Sequence, residues 1–417
     1  MVANDLRANR LIESGLLAVL DQRMVHALYQ PVVALDGRGI VGFEALARGP
    51  EGSGWASPAN LFACAAAAGR LPELDWVCRA AAVRGAAAAD LDPRVALFIN
   101  VEPASNRIPC PDDLADAVTT ADRWPVIAEI TERAIAFDPD GLLTTVDGLR
   151  RRNRRVALDD VGADPASQAM MPLLRPDVIK LDQTIIADPH TGHAQAVIAA
   201  VQAEAGRGGG AVILAEGIET PAHLAAARSI GATLGQGFLL GRPAPLPHAV
   251  TPPAIQWPRR SSLPTTGPTP FDTAAAQVTP VTVSRKVMNQ LSQAIEDRAA
   301  ATSEPRILLA NFQHRDRFTP AVARRYAALA TQANLVGVFA QDMPADPAPQ
   351  VNGYPLRPDD PVTAEWSVIL ITSTSADGIF AHATREPDSY QVAICDNREL
   401  VLTAARSLIE RMQVNHQ

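Results

Sequence analysis

Cysteine is scarce and scattered: Cys64, Cys78, Cys110 and Cys395 are the four in 417 residues, with no CxxC pair and no metal-ligand spacing. A secreted disulfide framework and a zinc site both lack support on that pattern, which leaves reduced structural thiols. Long apolar runs are missing as well. The opening MVANDLRANRLIESGLL is charged throughout where a signal peptide needs an uninterrupted apolar core, and no later run approaches membrane-spanning length. The expectation is a cytoplasmic chain without a membrane partner. An excess of positive charge is the third absence: the formal net charge is -8, which gives no general footprint for nucleic acid. The basic run from Arg151 to Arg155 reads as a solvated helix end.

What is present is ordinary folded-protein composition, 47% hydrophobic and 20% charged, in a chain longer than one hydrophobic core usually holds. Two domains are therefore expected. Between them, residues 251–283 carry TPPAIQWP and LPTTGPTP, too rich in proline and threonine to sustain a helix or a central strand, and read as a linker. Residues 1–250 alternate alanine-rich helical patterns with short apolar runs (VALFIN, VIAEI, VALDD, DVIKLD, AVILAEG), the signature of parallel strands joined by crossover helices. Residues 284–417 offer an amphipathic helix (KVMNQLSQAIEDRAA), strands RILLANF, LVGVFA, WSVILIT and QVAICD, and two further helices: a second, smaller α/β domain. That half has no convergent carboxylates, phosphate loop or nucleophile signature, so sensing suits it better than catalysis.

Each apolar run of the first domain ends in a polar residue: Glu44, Asn100, Glu129, Asp159, Lys180 and Glu216. In a (β/α) barrel the carboxyl ends of the strands converge on one face, where the site is built. One such residue is more often a cap or a solvated strand end; six together describe a cavity. With Asp160 the set is rich in oxygen and free of sulfur, the donor chemistry of hard Mg2+ or Mn2+, and so many carboxylates in one place repel each other unless cations neutralise them. A two-metal site of this kind suits phosphodiester hydrolysis, with Lys180 as a fixed positive charge.

The ordered motifs YQPVVALDGRGIVGFEALARG, FINVEP, AEITE, ALDDVG, IKLD, AEGIE and GQGF resemble the EAL domain of cyclic di-GMP phosphodiesterases over about residues 20 to 250. The resemblance implies a TIM-like barrel with Glu44, Asn100, Glu129 and Asp159 around one ion and Asp159, Asp160 and Glu216 around a second. It also implies that Lys180 and Glu216 handle the attacking water and that Glu132 and Glu219 support the site. Gln30, Leu46, Arg48, Asp182 and Gln236 are implied as substrate contacts. One stretch departs from the family: active members usually continue DDFGTGYSS, whereas this chain reads DDVGADPAS from Asp159 to Ser167, without an insertion or deletion. Glycine-to-aspartate beside a new proline changes the backbone angles the loop can adopt, so a receptor that binds cyclic di-GMP without cleaving it is the alternative to the enzyme. The family's dimer contact includes this loop, which leaves a homodimer open.

The carboxyl-terminal half resembles the DICT domain, a sensory module, through NFQHRDRFTPAVARRYAALA, LRPDDPVTAEWSVIL and LVLTAARSLIERM. Its ligand or protein partner is not legible. Phe312, Phe318, Tyr326 and Trp366 are candidates to line a pocket, with aromatic core packing the commoner outcome.

Overall fold

A computed structural model describes residues 15–37, 39–130, 138–207, 209–250, 252–253, 255–264 and 269–412. Strands β1 (His26–Ala34), β2 (Gly39–Arg48), β3 (Ala96–Asn100), β4 (Val126–Ile130), β5 (Arg155–Val161), β6 (Val178–Leu181), β7 (Val212–Ala215) and β8 (Leu234–Gly235) close into a barrel in sequence order. From β2 to β8 every pairing is parallel, as the alternating pattern predicts. β1 departs from the expectation: it runs antiparallel to both β2 and β8. The reason is the connection, since the few residues between Ala34 and Gly39 can turn a hairpin but cannot carry a crossover helix.

Successive side chains in a strand point to opposite faces, so residues two apart share the barrel interior. The floor of the interior is an apolar layer of Val32, Ala34, Ala96, Phe98, Ile127, Ala157, Val178, Leu214 and Leu234. One step towards the carboxyl ends of β2 to β8, the same inward rows carry polar residues, and that step builds the site.

The second domain is a seven-stranded sheet in the order β12-β11-β10-β13-β14-β15-β9: β9 (Val281–Ser284), β10 (Arg306–His314), β11 (Leu335–Gln341), β12 (Asn352–Leu356), β13 (Glu365–Thr372), β14 (Ala376–Ala383) and β15 (Ser389–Cys395). The aromatic candidates pack on one another, Phe312 against Phe318 and Tyr326 at centroid distances of 5.1 and 5.4 Å and Trp366 against Tyr390 at 5.7 Å. They are core.

Within the segment 251–283, whose prolines lead one to expect neither helix nor central strand, several of the described residues are buried. Trp257 is buried and meets Phe98 edge-on at 5.7 Å, plugging the barrel floor. Arg260 is buried and pairs with Glu204 at 2.7 Å, and Leu263 joins the core. A helix does form, Pro270–Ala275, because its proline stands in the first turn, where no N–H partner is needed, and the Thr269 hydroxyl caps Asp272 N. The basic run likewise is only partly solvated: Arg154 is largely buried and pairs with Asp122, and Arg155 Nε donates to Pro258 O.

Candidate functional site

Lys180, one of only two lysines in the chain, stands at the centre of the barrel mouth with 1% of its surface exposed. It extends inward from β6, directly above Val178, and its Nζ lies 2.7 Å from Glu129 Oε1, 2.7 Å from Asp159 Oδ1, 2.9 Å from Glu216 Oε1 and 3.7 Å from Glu44 Oε2. β2, β4, β5 and the end of β7 each contribute one carboxylate to this ring. Asn100 bridges two of them, its Nδ2 donating to Glu129 Oε2 at 3.2 Å and Glu44 Oε1 at 3.4 Å. On the β1/β8 side, Gln236 Nε2 donates to Glu44 Oε2 at 2.6 Å and Gln30 Oε1 at 3.1 Å, and Gln30 Nε2 in turn donates to Gly241 O.

One ammonium does not neutralise four buried carboxylates. Burial and the Glu44 charge push Glu129 well above the usual carboxylate range, and burial with the Asp159 and Glu44 charges pushes Glu216 up to about 8. Burial also acts to raise Glu44, but the Lys180 charge and the Gln236 hydrogen bond outweigh it and hold this carboxyl low. Lys180 keeps its proton: burial opposes the charge, and Asp159, Glu129 and Glu216 more than offset that. The excess of negative charge, all on oxygen donors, fits hard divalent cations. Oxygens of Asp159, Asp160 and Glu216 lie within 4.8 Å of one another, the spacing of a shared ion.

Two consecutive aspartates on an ordinary strand would face opposite ways. Here the β5/β6 register shifts between Leu158 and Val161, and Asp160 takes a left-handed backbone at φ 50°, which turns it back towards the mouth. Gly162 follows at φ 110°, where a Cβ would stand 2.5 Å from Ile185 Cγ1. The altered part of the loop fits ordinary conformations. Asp164 is extended, at φ −125°, and caps the next helix by accepting from Ala166 N at 2.7 Å; Pro165 is that helix's first residue, and Val161 is fully buried. The backbone angle that glycine-to-aspartate puts in question is one any residue adopts.

Leu46 and Arg48 lie half-buried on β2 beyond Glu44. Asp182 sits just past β6, but its Oδ1 caps the helix Gln183–Ala187, accepting from Thr184 N and the Thr184 hydroxyl. Glu219 is not gathered into the ring: it is exposed on the loop after β7, and among the described residues its carboxylate contacts no member of the cluster. Glu132 lies outside the described residues. What sequence reading misses is the helix Pro165–Leu174, buried from Ala166 to Leu174 beneath the second sheet; the unbroken apolar stretch AMMPLL was its signal.

Fold and site together define a carboxylate-lined barrel protein. A family model for the EAL domain matches residues 14–243, more than half of the chain, and the chain belongs to that family. A second model, the sensory domain in diguanylate cyclases and two-component systems (DICT), matches residues 271–384. The cyclic di-GMP phosphodiesterase NbdA of Pseudomonas aeruginosa is 32% identical over 54% of this chain and 29% of its own length. RocR, a cyclic di-GMP phosphodiesterase of the same organism, is 30% identical over 55% of this chain and 60% of its own. The chain thus spans less than two thirds of either relative. The crystal structure of the Xanthomonas citri FimX EAL domain with c-di-GMP shares the fold, with a TM-score of 0.50 at 18% identity over 60% of this chain and 99% of that one. Among the described residues no helix is long and apolar enough to cross a membrane.

Proposed function

We propose that this chain hydrolyses one phosphodiester bond of cyclic di-GMP, giving linear pGpG, with two divalent cations, Mg2+ or Mn2+. The observation that carries the reading is the ring of Glu44, Asn100, Glu129, Asp159 and Glu216 closed around Lys180, with Asp160 turned in beside it. Glu44, Asn100, Glu129 and Asp159 would hold one cation and Asp159, Asp160 and Glu216 the other. Bound there, the cations supply an activated water and charge neutralisation at phosphorus. Lys180, held protonated by its neighbours, orients that water and a non-bridging oxygen as a fixed charge. Glu216, ionised once a cation is held there, would accept a proton from the attacking water as the P–O bond to the 3′ oxygen breaks, and the departing 3′ oxygen would take its proton from solvent. Gln30 and Gln236 present amides at the rim, and the Gln236 Oε1 atom is buried with no hydrogen-bond partner among the described residues, ready for a donor on the substrate. Leu46 and Arg48 extend that wall.

The second domain regulates this chemistry in our reading. Support comes from the helix Pro165–Leu174, which begins a few residues after Asp160 and packs on β10, β13 and the helix Arg398–Ile409. A shift of that sheet reaches the aspartate loop through a single helix. The test is chromatography of the full chain incubated with cyclic di-GMP and Mn2+. Product pGpG, lost in Glu44→Ala, is expected; tight binding in Ca2+ without product under Mn2+ would replace the enzyme by the receptor.

A further inference from the structure

Most large apolar side chains in the described structure are buried; Phe238, 46% exposed, is the one aromatic residue among them that stands open to solvent. It lies two residues beyond Gln236, whose amide touches Glu44, so its Cα is at most two steps of ~3.8 Å from the Cα of a residue that lines the site. Its backbone is held firmly. Ile218 N donates to Gln236 O, Leu239 N to Ile218 O and Gly241 N to Gly237 O, while Gln30 Nε2 reaches Gly241 O. Gly237 presses so close to Ile218 that a Cβ would stand 2.2 Å from its nitrogen. A turn fixed this tightly could have buried its aromatic residue. Instead the Arg242 guanidinium lies over the ring, 4.0 Å from its centroid.

We infer that Phe238, backed by Arg242, is a stacking platform for one guanine of the cyclic dinucleotide, placed so that the base rests on the rim while the phosphates lie over the carboxylate ring. An aromatic face is a general receptor for a base, and a cation behind the ring strengthens a sandwich of guanidinium, phenyl and purine. Leu239, also exposed, widens the apolar rim beside it. The inference rests on the proposed substrate and adds a residue outside the metal-binding set. Phe238 is a specificity residue in this account: the carboxylate ring recognises the phosphodiester, and the platform recognises that a flat base is attached.

Equilibrium titration of the full chain with cyclic di-GMP in Ca2+ tests it, comparing the unaltered protein with Phe238→Ala and Phe238→Trp. Stacking on an aromatic side chain is worth ~1–3 kcal/mol, so Phe238→Ala should weaken binding by roughly 5-fold or more. Phe238→Trp should bind like the parent, with its indole fluorescence quenched on saturation. Melting temperatures should not change, because the ring is half in solvent. Binding by the parent that survives Phe238→Ala within about twofold, or an indole blind to ligand, would overturn the platform alone. No binding by the parent would overturn the proposed substrate and the platform with it.

Discussion

Lys180 and Glu216 make opposite demands on the ring of charge, and each leads to a measurement. Removing the ammonium by Lys180→Met leaves four buried carboxylates facing one another without their cation. Loss of one partner from a buried ionic set typically costs ~3–5 kcal/mol, so metal-free Lys180→Met should melt well below the parent. Added Mn2+ should restore more of the lost stability than it adds to the parent, while turnover stays at least a hundredfold down; a melting point independent of both changes would contradict the arrangement. Glu216 makes a pH prediction. Its carboxyl, pushed up to about 8 by burial and the Asp159 and Glu44 charges, is protonated at neutral pH in the ion-free protein. A cation binding there must displace that proton, and the one burial keeps on Glu129, so apparent Mn2+ affinity should rise with pH through and beyond 8. Titrations at pH 6.5, 7.5 and 9 distinguish this from an affinity indifferent to pH.

At the scale of elements, the helix Pro165–Leu174 and the helix Pro270–Ala275 show what the sequence conveys and what it conceals. The inward polar residue at the end of each strand from β2 to β7 was legible, because strand alternation and barrel closure need only local pattern. The bulge that turns Asp160 inward was not, since a register shift depends on the neighbouring strand. Nor were β12 and β14, short or glycine-bearing strands whose identity comes from their partners in the sheet. The loop Val161–Asp164 looked altered by residue type alone; the extended backbone of Asp164 and its cap on Ala166 N could not be read from residue types. Asp164→Ala should therefore cost about 1 kcal/mol by losing the cap to Ala166 N, seen as a lowered unfolding midpoint. The other helix begins against Glu365, which accepts from Phe271 N at 3.0 Å and which burial pushes up to about 7. Unfolded, this carboxyl titrates near its ordinary 4.5, so the folded state binds its proton more tightly. That contribution to stability is complete below pH 4.5 and is lost as pH rises through 7. Relative to Glu365→Gln, the parent should lose up to about 3 kcal/mol between pH 4.5 and 8 in denaturant titrations; a constant difference would refute the assignment.

At the scale of the molecule, two family matches do not make two independent bodies. Met170 and Leu174 of the barrel share one hydrophobic core with Leu309, Ile371, Leu402 and Leu408 of the second domain. Ion pairs seal the rim of that core: Arg398 to Glu204 at 3.0 Å, Arg175 to Glu399 at 2.9 Å, and Arg406 to Asp147. The helix Pro165–Leu174 is spent on the chain's own second sheet, packing on β10, β13 and the helix Arg398–Ile409. Two consequences follow from burying an apolar helix this way. Calorimetry of the full chain should show one cooperative transition, because neither half can unfold without exposing the shared core; two resolved transitions would mean that the contact contributes little. A charge placed in that core from the second domain, Leu402→Asp, should loosen the seat of the helix and so the loop that holds Asp160. Expected is a several-fold loss of Mn2+ affinity some distance from the substitution, with the fold retained by circular dichroism. Unchanged affinity in a folded Leu402→Asp protein would show that the second domain covers the helix without governing the site.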